Sequence, residues 1–249
     1  MIPRRDPDVL AALKSRLRSL ETAGGQGGVV PFGLAAIDRW LPGGGLPRIG
    51  IHEVIAGRGA GAGFAAALAG RLGVGAGPAP VLWVARQAEL YGPGLARFGL
   101  APERLILVEA GPDSDILWAI EEGLRTPGVA AVVGELHALD LTAARRLQLA
   151  AEAGGGTGLV LRPVDSQAGA GAACSRWRVR AWPSAQGGEA GWTCWRLALE
   201  RCRGVAGAPG DWIVECRDAT GDFALAAETG DRPAAPARPR AAEADRAVA

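Results

Sequence analysis

Gly50-Ile51-His52-Glu53-Val54-Ile55 is an apolar run of strand length, and it passes through Ala56-Gly57-Arg58-Gly59-Ala60-Gly61-Ala62-Gly63 into an Ala-rich stretch from Phe64 to Leu72. This order predicts a buried strand, a glycine loop from Ala56 to Gly63 and a helix. Downstream, Val81 to Val84, Leu105 to Val108, Val129 to Val133 and Leu159 to Leu161 are further strand candidates, separated by helical patterns at Leu95 to Leu100, Ser114 to Leu124 and Leu141 to Ala153. Short apolar strands alternating with helices specify an α/β fold whose sheet is mainly parallel and covered on both faces. From Ser175 the period changes to two, as in Arg176-Trp177-Arg178-Val179-Arg180-Ala181, which predicts antiparallel strands extending one edge of that sheet.

A glycine loop between a buried strand and a helix is where phosphate-binding proteins cradle a nucleotide, using backbone N–H groups, a lysine and a Ser/Thr hydroxyl on magnesium. The loop here offers Gly57, Arg58, Gly59, Gly61 and Gly63. Counted from Gly57, the lysine position holds Gly63 and the hydroxyl position holds Phe64. No other register helps, because Lys14 is the only lysine in the chain. The loop therefore reads as a degenerate phosphate loop that either turns the chain tightly, the preferred reading, or keeps residual anion binding through Arg58; hydrolysis by the ordinary mechanism is not expected. Glu135, at the exit of the Val129 to Val133 strand, stands where an aspartate would serve magnesium, and reads as a polar strand end that caps the next helix or meets a partner.

The remainder of the chain is organised around this core. Asp6-Pro7 followed by Leu10, Leu13, Leu17 and Leu20 predicts a short amphipathic helix within residues 1–22, whose leucine stripe either packs on its own domain or docks on a neighbouring protein. Residues 23–30 read as a flexible Gly-rich linker, 31–230 as the core, and 231–249, rich in Ala, Pro and Arg, as a disordered tail. The formal net charge of +1 gives no overall field toward nucleic acid or membrane. Neither a secretory signal nor a membrane span is recognisable, and Cys174, Cys194, Cys202 and Cys216 form no metal-ligand spacing. Free thiols in a reducing cytoplasm, with no cofactor and no metal, are the expectation.

The order of segments resembles the RecA recombinase core, and within that group the ImuA family of bacterial damage-induced mutagenesis. The residues carrying the likeness are Phe32 to Asp38 with Leu41 to Leu46, Val132 to Glu135, Leu139 to Ala150, Arg176 to Val179 and Leu199 to Gly204. It covers about residues 8 to 232. In RecA the strand matching Val81 to Ala85 leads to the acidic residue that activates water, and that place falls here at Arg86. The resemblance implies a RecA-like fold without catalysis, serving SOS-induced error-prone translesion synthesis. The partners it implies are ImuB, an error-prone DnaE-type DNA polymerase and RecA itself, with Leu10, Leu13, Leu17 and Leu20 as the docking face.

Arg176, Arg178 and Arg180 fall on one face of a strand with Trp182 on the same side, and Arg196 joins them. Such a face either exposes solvated arginines over a tryptophan core, the preferred reading, or stacks and neutralises single-stranded DNA. His52 and His137 sit in no catalytic or metal spacing and read as core or loop residues. Two other functions remain open at this point: a weak RecA-type ATP-binding switch, and a SulA-like cell-division inhibitor, a group that also keeps a shortened RecA-like core.

Overall fold

The fold is drawn from a computed structural model that describes residues 28–72, 79–87, 89–166, 171–184, 193–205, 210–216 and 222–226. A short pair, β1 (Val29–Val30) and β2 (Leu46–Pro47), opens the described chain and encloses α1 (Ala35–Asp38). The Asp38 carboxylate folds this segment on itself by accepting the Phe32 and Leu34 N–H groups at 2.7 and 3.1 Å. Then come β3 (Gly50–Ala56), α2 (Arg58–Leu72), β4 (Val81–Ala85), α3 (Gly92–Ala96), β5 (Leu105–Glu109), α4 (Asp113–Arg125), β6 (Ala131–Glu135), α5 (Leu141–Gly154) and β7 (Thr157–Arg162). Four strands end the described chain: β8 (Ser175–Trp182), β9 (Thr193–Cys202), β10 (Gly210–Cys216) and β11 (Phe223–Leu225).

β3 to β11 form one nine-stranded sheet in the order β11-β10-β9-β8-β3-β7-β6-β4-β5. From β5 through β8 every neighbouring pair is parallel, and β9, β10 and β11 add antiparallel strands beyond β8. The α/β class and the antiparallel extension are thus as the sequence predicts. β3 is buried along its whole length, as a strand covered on both faces must be.

Two cores separate across the sheet. On one face α2 packs with Phe32, Ile37, Leu41 and Leu46 against Val54, Trp83, Val133, Trp177 and Trp195. On the other, α4 and α5 cover Ile51, Val84, Val132 and Val160. The two covering helices meet closely at Gly154, where a β-carbon would come to 2.1 Å from the Leu124 carbonyl oxygen. Asp140 caps α5 by accepting the Ala143 N–H at 2.7 Å, and Gly155 ends it in the left-handed region at φ 70°.

Several boundaries differ from those expected. β6 begins at Ala131, two residues after Val129, because Gly128 turns the chain at φ 88° and Val129 leads into the strand. α3 ends at Ala96 where a helix to Leu100 is expected; Pro93 sits at its first turn, and Leu95 and Leu100 are both buried. Of the expected linker, Gly28 is described and Val29–Val30 is a strand; the leucine-striped helix and the tail from Asp231 lie outside the described residues. Among the described residues no helix is long and apolar enough to cross a membrane.

Candidate functional site at the carboxyl end of the sheet

The end of β3 and the start of α2 form the place where the sequence predicts a glycine loop. The chain instead enters α2 at Arg58, directly after Gly57, and the Gly61 N–H already donates to the Gly57 carbonyl at 2.8 Å. The expected loop from Ala56 to Gly63 is therefore corrected: Arg58 to Gly63 are helical. Glycine costs a helix interior roughly 1 kcal/mol against alanine, and packing outweighs that cost here. At Gly61 a β-carbon would approach Ala56 to 3.2 Å, and at Gly63 it would stand 3.0 Å from Trp195 and 3.1 Å from Phe98.

The two positions that a phosphate site needs are filled from within. Gly63, at the lysine position, is buried beneath the Trp195 indole. Phe64, at the hydroxyl position, is fully buried, with its ring centroid 6.1 to 6.3 Å from those of Phe32, Trp177, Trp195 and Phe223. Gly57, Arg58 and Gly59 remain exposed on the first turn, where Arg58 pairs with Glu89 at 2.5 Å.

The other strand ends at this side are matched in the same way. Arg86, just beyond β4, pairs with Asp113 at 3.1 Å, and Asp113 also accepts the His137 N–H at 3.3 Å. Partial burial alone would raise the Asp113 carboxyl, but the Arg86 guanidinium and the His137 contacts outweigh it and hold the group below the usual carboxylate range. Glu135 does not cap α5; half-buried at the strand end, it accepts the Trp83 indole N–H at 3.0 Å. The helix cap is Asp140. Among the described residues no group of three or more His, Cys, Asp or Glu side chains is arranged to hold a metal ion.

β8 does carry Arg176, Arg178 and Arg180 in alternation, but their surroundings differ. Arg176 is 5 % exposed and reaches both oxygens of buried Glu53, at 3.0 and 3.2 Å, while Arg162 approaches the same carboxylate at 3.3 Å. Arg178 bonds Glu200 and donates to the Val164 carbonyl at 3.0 Å. Arg180 is exposed. Arg196 is held by Asp211 at 2.8 and 3.0 Å, 5.7 Å from the centroid of the Trp182 ring. Both readings of this face, the preferred one of solvated arginines and the alternative of three arginines offered together to DNA, are corrected at Arg176, whose guanidinium is spent on a buried carboxylate; Arg178 is paired with Glu200, and Arg180 is exposed. The counter-charges Glu53, Glu200 and Asp211 belong to no motif read from the sequence; each lies in a strand beside an arginine strand, so cross-strand pairing is the signal that locates them.

His52 is fully buried, with Nδ1 2.8 Å from Ser175 Oγ and Nε2 3.0 Å from the Pro47 carbonyl; Trp177 donates its indole N–H to the same Ser175 Oγ at 2.9 Å. Burial lowers its pKa to about 4 despite the Pro47 contact, so the ring is neutral near pH 7. The four cysteines are buried and unbridged, and burial pushes the Cys202 thiol up to about 11. Such thiols are poor nucleophiles.

No protein-family model matches the chain. It is 44% identical over 212 residues to Protein ImuA of Caulobacter vibrioides strain NA1000/CB15N, covering 77% of this chain and 84% of that relative. Protein ImuA of Caulobacter vibrioides strain ATCC 19089/CIP 103742/CB 15 matches with the same identity and coverage.

Proposed function

The chain belongs to the ImuA family, and on that premise we propose that it serves damage-induced, error-prone translesion synthesis as a non-catalytic accessory. It acts through contacts with ImuB, an error-prone DnaE-type polymerase and RecA, in the cytoplasm. The observation that carries this reading is the pair Gly63 and Phe64. The positions where nucleotide chemistry needs a lysine and a hydroxyl are packed under Trp195 and inside the aromatic core. A chain that keeps the sheet while building its core through the phosphate position has a scaffold's use for that fold. Docking through Leu10, Leu13, Leu17 and Leu20 belongs to the same proposal.

Deleting the gene and complementing it tests the reading. Damage-induced mutation frequency should fall to the uninduced level while undamaged growth is normal, and an unchanged frequency sinks it. Leu13→Asp with Leu17→Asp should abolish co-purification with ImuB or RecA. Calorimetry with Mg-ATP should give no binding heat; a clear isotherm would instead establish the ATP-switch reading.

A further inference from the structure

Helices α4 and α5 lie side by side on one face of the sheet and run in the same direction, since each returns the chain to a parallel strand. Glu121 marks the seam between them, holding Arg125 of its own helix and Arg146 of α5. Trp118, three residues before Glu121, is 63 % exposed, and Leu149, three residues after Arg146, is 64 % exposed. Each stands opposite the buried stripe of its helix, Ile116, Ile120 and Leu124 in α4 and Ala144, Leu147 and Ala151 in α5, so both face away from the sheet. Two three-residue steps along the helices and one spacing between their axes put these two positions about 13 Å apart. The described chain begins at Gly28, whose carbonyl accepts the Arg48 N–H at 3.1 Å. Gly50 in turn donates to the Gly156 carbonyl at 3.1 Å, and a β-carbon at Gly156 would come to 2.8 Å from the Leu124 carbonyl oxygen. The chain thus enters the described fold at the amino end of β3, beside the carboxyl ends of α4 and α5. Tyr91 and Val164, also exposed, follow β4 and β7 at the opposite end of the sheet.

We propose that the leucine-striped segment within residues 1–22 docks on its own chain, across the outer side of α4 and α5, with Leu10, Leu13, Leu17 and Leu20 over Trp118 and Leu149. The segment lies outside the described residues, and its sequence predicts an amphipathic helix that needs an apolar partner for one face. From Leu10 to Leu20 such a stripe is about 15 Å long, which matches the separation of Trp118 and Leu149. The tether sets the place. Eight steps from Leu20 to Gly28 reach at most about 27 Å. That is enough to pass the thickness of one helix, about 10–12 Å, from β3 to its outer side and to run on to Leu149, about 8 Å before the end of α5. A tether this short holds the stripe near the face at a millimolar effective concentration, so a few apolar contacts are sufficient. Docked there, the four leucines are withheld from other proteins, and the segment competes in cis with any partner for its own stripe. This inference rests on the helix expected from the sequence and on the exposed face, not on the mutagenesis reading, and stands or falls separately from it.

Amide hydrogen exchange of the full chain alone, read by mass spectrometry, is the test. Residues 10–20 should exchange at least about tenfold more slowly in the parent than in a chain carrying Trp118→Glu with Leu149→Glu. Both side chains are exposed, so the urea midpoint of that variant should drop by no more than the docking itself contributes. Trp118→Ser with Leu149→Ser should release the segment likewise and stands in for a glutamate pair that fails to fold. The protection should be the same over roughly a hundredfold range of concentration, as an intramolecular contact requires. Protection that grows with concentration while the mass rises from 25.5 kDa places the stripe on a second copy and overturns the proposal. So does protection that survives in both double variants, or a parent chain whose residues 10–20 exchange as freely as theirs. No other protein is present in these measurements, so their outcome is independent of the mutation frequency after gene deletion.

Discussion

Gly63 lies in contact with Trp195: a β-carbon added at residue 63 would stand 3.0 Å from the indole Cζ2, with Phe98 3.1 Å away on another side. Trp195 is buried in the core and has no room to yield, and half-buried Phe98 lies against it in a tilted contact with ring centroids 5.4 Å apart. Gly63→Ala should therefore lower stability by about 1–3 kcal/mol through overpacking, read by urea denaturation. Gly63→Lys with Phe64→Thr, which writes phosphate-loop residues back into the sequence, should yield an unfolded chain with no ATPase activity. A folded double variant would refute this account of the helix.

Glu53 is a single buried carboxylate between Arg176 and Arg162. Removing it strands two buried cations, so Glu53→Gln should destabilise the fold by about 3–5 kcal/mol. Replacing Glu53 and Arg176 together by Met should cost less than Glu53→Gln alone, because only Arg162 is then left without its counterpart, and replacing all three by Met should cost less still. Equilibrium unfolding of the three variants gives the comparison.

His52 gives the protein an acid limit. Its folded-state pKa is about 4 against an ordinary 6.5, so the unfolded chain takes up the proton first as the pH falls. The stability of the neutral, buried ring is complete above pH 6.5 and is lost progressively down to about pH 4. The loss amounts to about 3 kcal/mol. His52→Asn should be less stable near pH 7, yet show a flatter stability profile between pH 6.5 and pH 4. An unaltered slope in that window would show that other groups carry it.

Arg176 and Arg180 should separate fold from surface. Arg176→Ala leaves Glu53 without its bidentate partner and should lower the urea midpoint, whereas exposed Arg180→Ala should leave it unchanged. Only Arg180→Ala can therefore report on single-stranded DNA through this face. Oligonucleotide affinity at low salt that is the same in this variant and the parent removes the face as a DNA contact.

Much of the sheet could be read from local pattern. β4 and the Leu159 to Leu161 part of β7 are continuous apolar runs, β3 is one apart from His52 and Glu53, and β8 alternates with period two, so burial on both faces, and then on one, leaves its mark within a few residues. What local pattern could not supply were relations between distant segments. The start of α2 at Arg58 depends on Gly63 fitting beneath Trp195, a residue from the far end of the core, while glycine's own preference points to a loop. The arginine face was legible as a face, but Arg176 finds its carboxylate 123 residues away in β3, and that pairing decides what remains exposed. Locally ambiguous glycines and charges were settled by tertiary contact.

Arg71, near the end of α2, donates to the Pro31 and Phe32 carbonyls, pairs with Asp222 at 3.2 Å and lies 4.4 Å from the centroid of the Phe223 ring. The first and last parts of the described fold, at Pro31–Phe32 and at Asp222–Phe223, are thus latched by one guanidinium. A pull on the chain at either point is transmitted to the same latch. Traction on the terminal β11 reaches the strap that carries Phe32 over the core, which makes the two ends of the fold one mechanical unit.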